Sequence, residues 1–479
     1  MHPVDLAIFI VYMAAMLAIG YHFLRKNTDA EDYYVGGRSM GAWHVGFSVV
    51  ATDVGGGFSI GLGGLGFAMG LSGSWMLATG LLGAWLSAVV LIPRIKRDPA
   101  FAKALTFPEI FAVLYDKRVA VVAGLISAVG YLGFTSSQIL AGAKLASGTF
   151  VDLDQNTALL IMGLVAVGYT VMGGLKAVIY TDTVQWAVLM FGLILVGLPV
   201  AYLAVGGWEV IEATLPAEMF SLTNLSWQKM VNWFATILPI WFVGMTLYQR
   251  IYACADERTA KKAWYLAGLL EYPVMAFMGV MLGLLARVAA DQGMFAYLGS
   301  PSAAGMDAET GLPMLLRTAL PVGLLGIMMS AYFSAILSTA DSCLMASSGN
   351  VVSDILGTLL RIDSTGKRFL RLSQLSTLVI GALALLLATC MTSVLSLMLY
   401  SYAFLVSGLL VPVIGALFWK RRSPTAAIAA MLVGGTTTVV IEVGGFALWG
   451  LDGNVFGIAA SAVVFVSITD ISARSQGRS

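Results

Sequence analysis

Apolar runs of about 20 residues recur along the whole chain, separated by short polar stretches. A helix of about 20 apolar residues crosses the roughly 30 Å hydrocarbon core of a bilayer and satisfies its own backbone polar groups there. The pattern predicts an all-α polytopic membrane protein of about thirteen transmembrane helices. They are predicted near residues 3–24, 40–71, 73–93, 119–147, 155–174, 178–204, 227–252, 261–287, 321–355, 370–391, 393–418, 424–446 and 449–472.

The Lys and Arg residues predict the orientation of these helices, because cytoplasmic loops are enriched in them. If the N-terminus lies outside, 23 of the 27 Lys and Arg residues fall in inner segments. The four exceptions are Lys144, Lys229, Arg287 and Arg317. We therefore expect a multi-pass protein of the cell (inner) membrane, with its N-terminus outside and its C-terminus cytoplasmic. The first helix lacks a basic leader, so we expect it to be retained.

Composition excludes several classes of protein. The 479 residues are 59% hydrophobic and 11% charged, which is not typical of a soluble globular protein. The three cysteines and three histidines show no metal-binding spacing, and no nucleophile motif of an enzyme lies within the helices. We expect no enzymatic activity and no cofactor beyond a coupling ion. A net charge of +1 gives no indication of a nucleic-acid partner.

A polar stripe interrupts the long apolar segment 321–355. Ala335, Ser338, Thr339 and Ser342 are spaced i, i+3, i+4 and i+7, so they share one helical face. Asp341 lies one residue away from this face. Hard oxygen atoms at membrane depth suit a small cation such as Na⁺, and polar groups there usually mark an ion or solute path. The alternative is that the small residues only permit close helix packing.

Two predicted helices are interrupted in mid-membrane. In the segment 40–71, Asp53 precedes the consecutive glycines Gly55, Gly56 and Gly57, which weaken a helix. The segment 227–252 contains Pro239 and Gly244. Irregular backbone at this depth is tolerated only where it faces protein or water. Broken helices at corresponding places in two halves point to a transporter binding site.

The positions of the breaks predict two five-helix repeats of inverted topology, although the residues themselves show no self-similarity. The first repeat is expected over residues 40–204 and the second over 227–418. The helix in residues 1–25 is expected to lie outside this five-plus-five core. Two further helices are expected over 424–472.

Four motifs resemble the sodium:solute symporter family over nearly the whole chain. They are Tyr34-Val-Gly-Gly-Arg-Ser39, Ala51-Thr-Asp-Val-Gly-Gly-Gly57, the run Gly173-Gly-Leu-Lys-Ala-Val-Ile-Tyr-Thr-Asp-Thr-Val-Gln185 and Ser338-Thr-Ala-Asp-Ser342. Each is weak alone, and together they are specific. The resemblance implies a five-plus-five fold and a secondary active transporter that uses Na⁺ to drive uptake of a small organic solute.

The resemblance also implies a set of sodium ligands. Carried over residue by residue, the carbonyl ligands fall on Ala51, Val54 and Ala335, and the hydroxyl ligands on Ser338 and Thr339. Some members of the family bind a second sodium ion, which here would use Asp182 with Ser338 and Ser342, and in one interpretation Asp341. The alternative for Asp182 is a helix N-cap, and that for Asp341 is structural hydrogen bonding. Proton coupling through these carboxylates also stays open.

The resemblance implies that the solute lies against the first break and two aromatic residues. The implied residues are Asp53, Gly55, Gly56, Gly57, Phe58, Phe134 and Trp241, and ordinary helix packing is the alternative for each aromatic. Some of these residues resemble the proline-transporting branch and others the choline-transporting branch. The preferred solute is proline or another amino acid. The alternatives are a quaternary amine such as choline, or a small carboxylate.

Two other functional classes stay open. A sodium-dependent sensor would share the core but signal to a partner, and the chain is expected to carry no signalling domain because its loops are short. A channel would offer a polar path without breaks at related positions. The expected partners in every case are the lipid bilayer, sodium and a small solute.

Overall fold

The computed structural model describes residues 2–24, 34–150, 153–170, 175–360, 367–419, 422–446 and 448–476. This part of the chain is helical and contains no named β-strand. The long helices are α1 Pro3–Leu24, α2 Ala42–Met69, α3 Trp75–Val90, α4 Lys117–Thr149, α5 Gln155–Thr170, α6 Leu175–Gly192, α7 Trp227–Val243, α8 Met245–Ala253, α9 Glu257–Leu269, α10 Ala276–Asp291, α11 Ala308–Ala319, α12 Leu324–Gly349, α13 Lys367–Thr389, α14 Val394–Phe418, α15 Pro424–Gly444 and α16 Gly453–Gln476.

Shorter helical segments connect or extend these helices. Three wide turns of π geometry continue α6, α9 and α12, at Leu193–Gly197, Leu270–Met275 and Asn350–Leu356. Short α-helical pieces are Ile92–Arg97, Glu109–Leu114, Leu198–Ala204, Trp208–Thr214 and Gly357–Leu360. Short 3₁₀ turns are Gly36–Arg38, Gly70–Ser74, Pro99–Phe101, Ala217–Phe220 and Ala296–Leu298.

The helices confirm the predicted membrane architecture. Each of the thirteen predicted segments contains helix in the described residues. In the residues that the structure describes, nine helical spans are long and apolar enough to cross a bilayer, or ten if the bent pair α7 and α8 is one span. The apolar stretches Pro3–Met16 and Gln155–Gly168 are shorter. The protein is an all-α polytopic membrane protein.

Helix α2 is broken where its glycines predict. Gly55 has φ +25° and ψ −162°, a conformation that residues with a Cβ rarely adopt. The helical hydrogen-bond pattern is therefore interrupted in the middle of the membrane-spanning segment. This break exposes backbone polar groups to neighbouring helices.

The second predicted break lies between α7 and α8. The two helices meet at an angle of 41° across Gly244, which has an extended backbone. Pro239 stays inside α7. The hinge of this span is therefore the glycine and not the proline.

A third interruption was not predicted. The wide turn Leu270–Met275 separates α9 from α10, and Tyr272 within it has φ −136° and ψ 121°. Glu271 and Pro273 lie in this turn, inside the segment predicted as one continuous helix over 261–287. The local signal for this break was an acid two residues before a proline within an apolar segment.

Helices α2 and α12 lie at the centre of the bundle. Helix α2 packs against α6, α9, α10, α11 and α12, while every residue of α12 from Met328 to Gly349 is buried. A Cβ on Gly283 would overlap the backbone of Gly63, so α10 and α2 approach closely through glycine. The ranges predicted for the two repeats stay a prediction.

Candidate functional site

The break in α2 is held open by a side chain from α4. The N–H of Gly56 donates to Oε1 of Gln138 at 2.7 Å, which satisfies a backbone donor next to the interruption. Gln138 is buried. Sequence reasoning missed this residue, because an amide that bonds another helix leaves no periodic signal.

The hydroxyl of Thr339 connects the broken helix to α12. Its Oγ1 lies 3.1 Å from the carbonyl oxygen of Ala51 and 3.2 Å from that of Ala335. A Cβ on Gly55 would lie 2.7 Å from the same hydroxyl, so the glycine is needed for this approach. Val54 adjoins the break in the backbone, and its side chain lies outside the described part. The structure brings together three oxygen atoms of the predicted sodium site.

Ser338, the other predicted hydroxyl ligand, faces α6. Its Oγ donates to Oδ1 of Asp182, and Ser48 of α2 donates to Oδ2 of the same carboxylate at 2.5 Å. Asp182 has no exposed surface. One carboxylate therefore joins α2, α6 and α12 beside the predicted sodium ligands.

A buried arginine completes this cluster. Nη2 of Arg250 lies 2.5 Å from Oγ1 of Thr52, 3.0 Å from Oγ of Ser342 and 3.4 Å from Oδ2 of Asp182. Its Nε donates to Ser48 at 3.0 Å. Its side chain has no exposed surface. The charge of the guanidinium therefore balances that of the carboxylate.

The position of Arg250 corrects the orientation argument. The sequence placed it among the cationic residues of the inner loops, whereas the structure buries it in α8 after the bend at Gly244. The count of inner basic residues therefore falls by one. Hydropathy alone does not separate a loop arginine from one buried at the end of a broken helix.

The residues predicted for a second sodium ion divide into two places. Asp182 and Ser342 meet around the guanidinium of Arg250. Asp341 instead accepts a hydrogen bond from Thr170 of α5, and its Oδ2 has no hydrogen-bond partner among the described residues. The structure therefore separates Asp341 from the shared contacts of the other two.

Two of the predicted solute residues meet at a tyrosine of α14. The hydroxyl of Tyr402 lies 3.4 Å from Oδ1 of Asp53. The ring of Phe134 packs edge-on against that of Tyr402, with centroids 4.9 Å apart. All three residues are buried. Tyr402 was not predicted, because an aromatic in a long apolar helix is usually a packing residue.

The remaining predicted solute residues lie in different surroundings. Gly57 packs against the side chain of Met398 on α14. Trp241 is fully buried and packs against Trp264 of α9, with ring centroids 6.3 Å apart. The side chain of Phe58 lies outside the described part. The contacts thus bring Asp53 and Phe134 together and leave Trp241 in a separate aromatic pair.

The chain is similar in sequence to two proline transporters of known name. The chain is 30% identical over 448 residues to the osmoregulated proline transporter OpuE of Bacillus subtilis (strain 168), covering 90% of this chain and 87% of that relative. It is 28% identical over 463 residues to the high-affinity proline transporter PutP of the same organism, covering 95% of each.

A solved structure shares the fold. A Na⁺-coupled sialic acid symporter, in a substrate-bound outward-open state, superposes with a TM-score of 0.79 at 21% sequence identity, covering 98% of both chains. The sequence profile described as "Sodium:solute symporter family" matches residues 33–434. This chain belongs to the sodium:solute symporter family, whose members are membrane transporters coupled to sodium.

Proposed function

We propose that this protein is a secondary active transporter that couples inward movement of sodium to uptake of proline or another amino acid. The observation that carries the proposal is the contact of Thr339 with the carbonyl oxygens of Ala51 and Ala335. A sodium ion among these oxygens would hold the broken helix α2 against α12. The names of the two relatives described above, both proline transporters, support proline as the solute.

The mechanism follows from the proximity of the ion and solute residues. Asp53 lies two residues beyond Ala51, so an ion that orders the first break also orders the solute wall. Sodium binding thus raises the affinity for solute, and the solute raises the affinity for sodium by the same factor. The loaded core then rocks inward, with residues 40–204 and 227–418 moving as the two repeats. Release of sodium inside loosens the solute site.

The energy of one sodium ion is sufficient for accumulation. One positive charge crossing 100 mV releases about 2.3 kcal/mol. A tenfold sodium gradient adds about 1.4 kcal/mol. Together they support roughly 500-fold accumulation of a neutral solute. A second sodium ion would square that ratio. Whether such an ion binds at Asp182 and Ser342 therefore has a large effect on the accumulation that the transporter can reach. The buried charge of Arg250 between them favours one sodium per solute.

Uptake into proteoliposomes tests the proposal. Proline, choline, acetate and glucose are offered with an inward sodium gradient, with equal sodium on both sides, and with a potassium gradient in its place. We expect saturable, uphill uptake of proline only with the sodium gradient. Uphill uptake of choline or acetate, without uptake of proline, would identify that compound as the transported solute. If the internal solute concentration equalises with the external one and never exceeds it, the result would favour a channel. Sodium binding without any solute flux would favour a sensor.

A further inference from the structure

Glu271 is a buried acid that the proposed mechanism does not yet use. It lies in the wide turn Leu270–Met275, where the helical backbone is interrupted at Tyr272. Its side chain has no exposed surface. An ionisable group at membrane depth is costly and is retained where it has a functional partner.

The neighbouring helix makes room for this carboxyl group. A Cβ on Gly80 of α3 would overlap Oε2 of Glu271, and the next residue near that position is Ile237 of α7, whose Cγ2 lies 3.8 Å away. Glycine at residue 80 thus leaves the space that the carboxyl group occupies.

Glu271 faces the carboxyl group of Asp53, within hydrogen-bonding reach, so that the two carboxyl groups can share one proton when no ligand lies between them. Apart from this contact between the two acids, no hydrogen-bond donor in the described part of the chain reaches either oxygen of Glu271 or Oδ2 of Asp53. The remaining oxygen of Asp53 faces the hydroxyl of Tyr402. A single shared proton leaves most of these buried acceptor positions without a donor, so a ligand that brings several N–H groups would satisfy them better.

The residues around Asp53 and Glu271 indicate which kind of ligand would satisfy these oxygen atoms. No basic side chain acts on either carboxyl group among the described residues, and the guanidinium of Arg250 is engaged with Asp182. Asp53 lies two residues before the first break at Gly55. The hydroxyl of Tyr402 lies against its carboxyl group, and the ring of Phe134 packs against that of Tyr402. Facing carboxylates and aromatic walls are complementary to a cationic nitrogen.

We propose that Asp53 and Glu271 together bind the cationic nitrogen of the transported solute, and that this nitrogen carries at least two N–H groups. The inference rests on the proposed function and names the chemistry of its solute. The unpartnered oxygens need donated hydrogens, and a secondary or primary ammonium supplies two or three of them. A quaternary ammonium supplies none. The acid pair thereby selects amino acids such as proline over choline-like solutes.

Matched solutes in the same proteoliposomes test whether the transporter recognises the charge and the N–H groups of the solute's nitrogen. Proline is compared with N,N-dimethylproline, which keeps the charge but loses both N–H groups, and with tetrahydrofuran-2-carboxylate, which replaces the nitrogen by oxygen. Ethanolamine and choline form a second pair. We expect both analogues of proline to inhibit proline uptake at least 10-fold more weakly than proline does. Sodium-driven uptake of choline or tetrahydrofuran-2-carboxylate in preference to proline and ethanolamine would overturn the inference and leave sodium coupling standing.

The variant Glu271→Gln tests the acid pair itself. It preserves the shape and removes the charge, and the half-saturating proline concentration should rise about 10- to 100-fold. Its preference for proline over N,N-dimethylproline should shrink by a similar factor. Glu442→Gln, on α15, serves as the matched control and should behave as the parent.

A readout of sodium binding separates the two proposals. In the absence of solute, the sodium concentration that half-saturates the change in tryptophan fluorescence should be the same for Glu271→Gln and the parent. Unchanged proline affinity and unchanged solute preference in this variant would overturn the inference. Loss of sodium binding with intact solute discrimination would also overturn it, because Glu271 would then serve the ion. Absence of sodium dependence in the parent would instead contradict the proposed function.

Discussion

Arg250 and Asp182 form an ion pair in the interior of the membrane domain, with Nη2 and Oδ2 3.4 Å apart and neither side chain exposed. The pair joins α8, beyond the second break, to α6. Through Ser48 and Thr52 it also joins the segment that leads into the first break. A fixed positive charge therefore lies against the carboxylate that the family resemblance assigns to a second sodium ion.

This pair predicts the stoichiometry of transport. Because the guanidinium already balances Asp182 and contacts Ser342, the parent protein should move one sodium ion per solute. The variant Arg250→Gln leaves a buried carboxylate beside Ser338 and Ser342, which favours a second cation. The number of sodium ions that Arg250→Gln moves per solute should therefore rise from one toward two. Reversal potentials of solute flux in proteoliposomes measure the ratio directly.

Arg287→Gln is the control for this experiment. Arg287 is paired with Asp291 on the surface of α10 and contacts neither break. The number of sodium ions that Arg287→Gln moves per solute should equal that of the parent. Two sodium ions per solute in the parent would show that the guanidinium does not exclude the second ion.

A second buried ion pair predicts stability rather than transport. Nζ of Lys144 lies 2.7 Å from Oε2 of Glu309, and this carboxylate also accepts the backbone N–H groups of Val394 and Leu395 at 2.9 Å. Replacing Lys144 with Met leaves the carboxylate buried without its cation. The free energy of unfolding should fall by about 3 kcal/mol. Unfolding in mixed detergent micelles measures this change.

Lys229→Met is the comparison for Lys144. Lys229 is exposed beside Trp233, and no carboxylate forms a salt bridge with it among the described residues. We expect little change in its unfolding free energy. Equal losses in the two variants would mean that the pair of Lys144 and Glu309 contributes nothing specific.

Asp452, in the turn before α16, predicts a dependence of stability on pH. Burial, with a smaller contribution from Glu442, raises the pKa of Asp452 to about 6. The folded state therefore favours the protonated carboxyl, so its contribution to stability is present at low pH and is lost as the pH rises through about 6. The melting temperature measured between pH 4.5 and 7.5 should reflect this loss.

Asp452→Asn should remove this part of the pH dependence. An amide does not titrate, and its oxygen still accepts the hydrogen bond that Asn232 donates at 2.8 Å. Asp98→Asn, at an exposed turn, should keep the slope of the parent. An identical slope in Asp452→Asn and the parent would rule out this carboxyl as the cause.

The sequence was sufficient for features that depend on neighbouring residues. Hydropathy locates the long helices, and glycine locates both predicted breaks, because backbone freedom is a local property. Helical periodicity also places Ala335 and Thr339 on one face, where the structure finds them close to Ala51.

Features that depend on contacts between distant segments were not predictable. Arg250 resembles a loop residue until the bend at Gly244 places it beside Asp182. Gln138 has no pattern of its own, and its role depends on a donor 82 positions away. Glu271 was the exception that left a local signal, because it stands two residues before Pro273 in an apolar segment. These residues act through tertiary pairing, which periodicity does not encode.

Sodium titration of the hydroxyl variants tests the central claim most directly. Thr339→Ala and Ser338→Ala are compared with Thr339→Ser, which restores a hydroxyl, and with Ser330→Ala, whose hydroxyl bonds only within α12. The account predicts that both hydroxyl losses raise the half-saturating sodium concentration for uptake at least 10-fold, while Thr339→Ser and Ser330→Ala stay near the parent. Equal sodium dependence in all five proteins would contradict it.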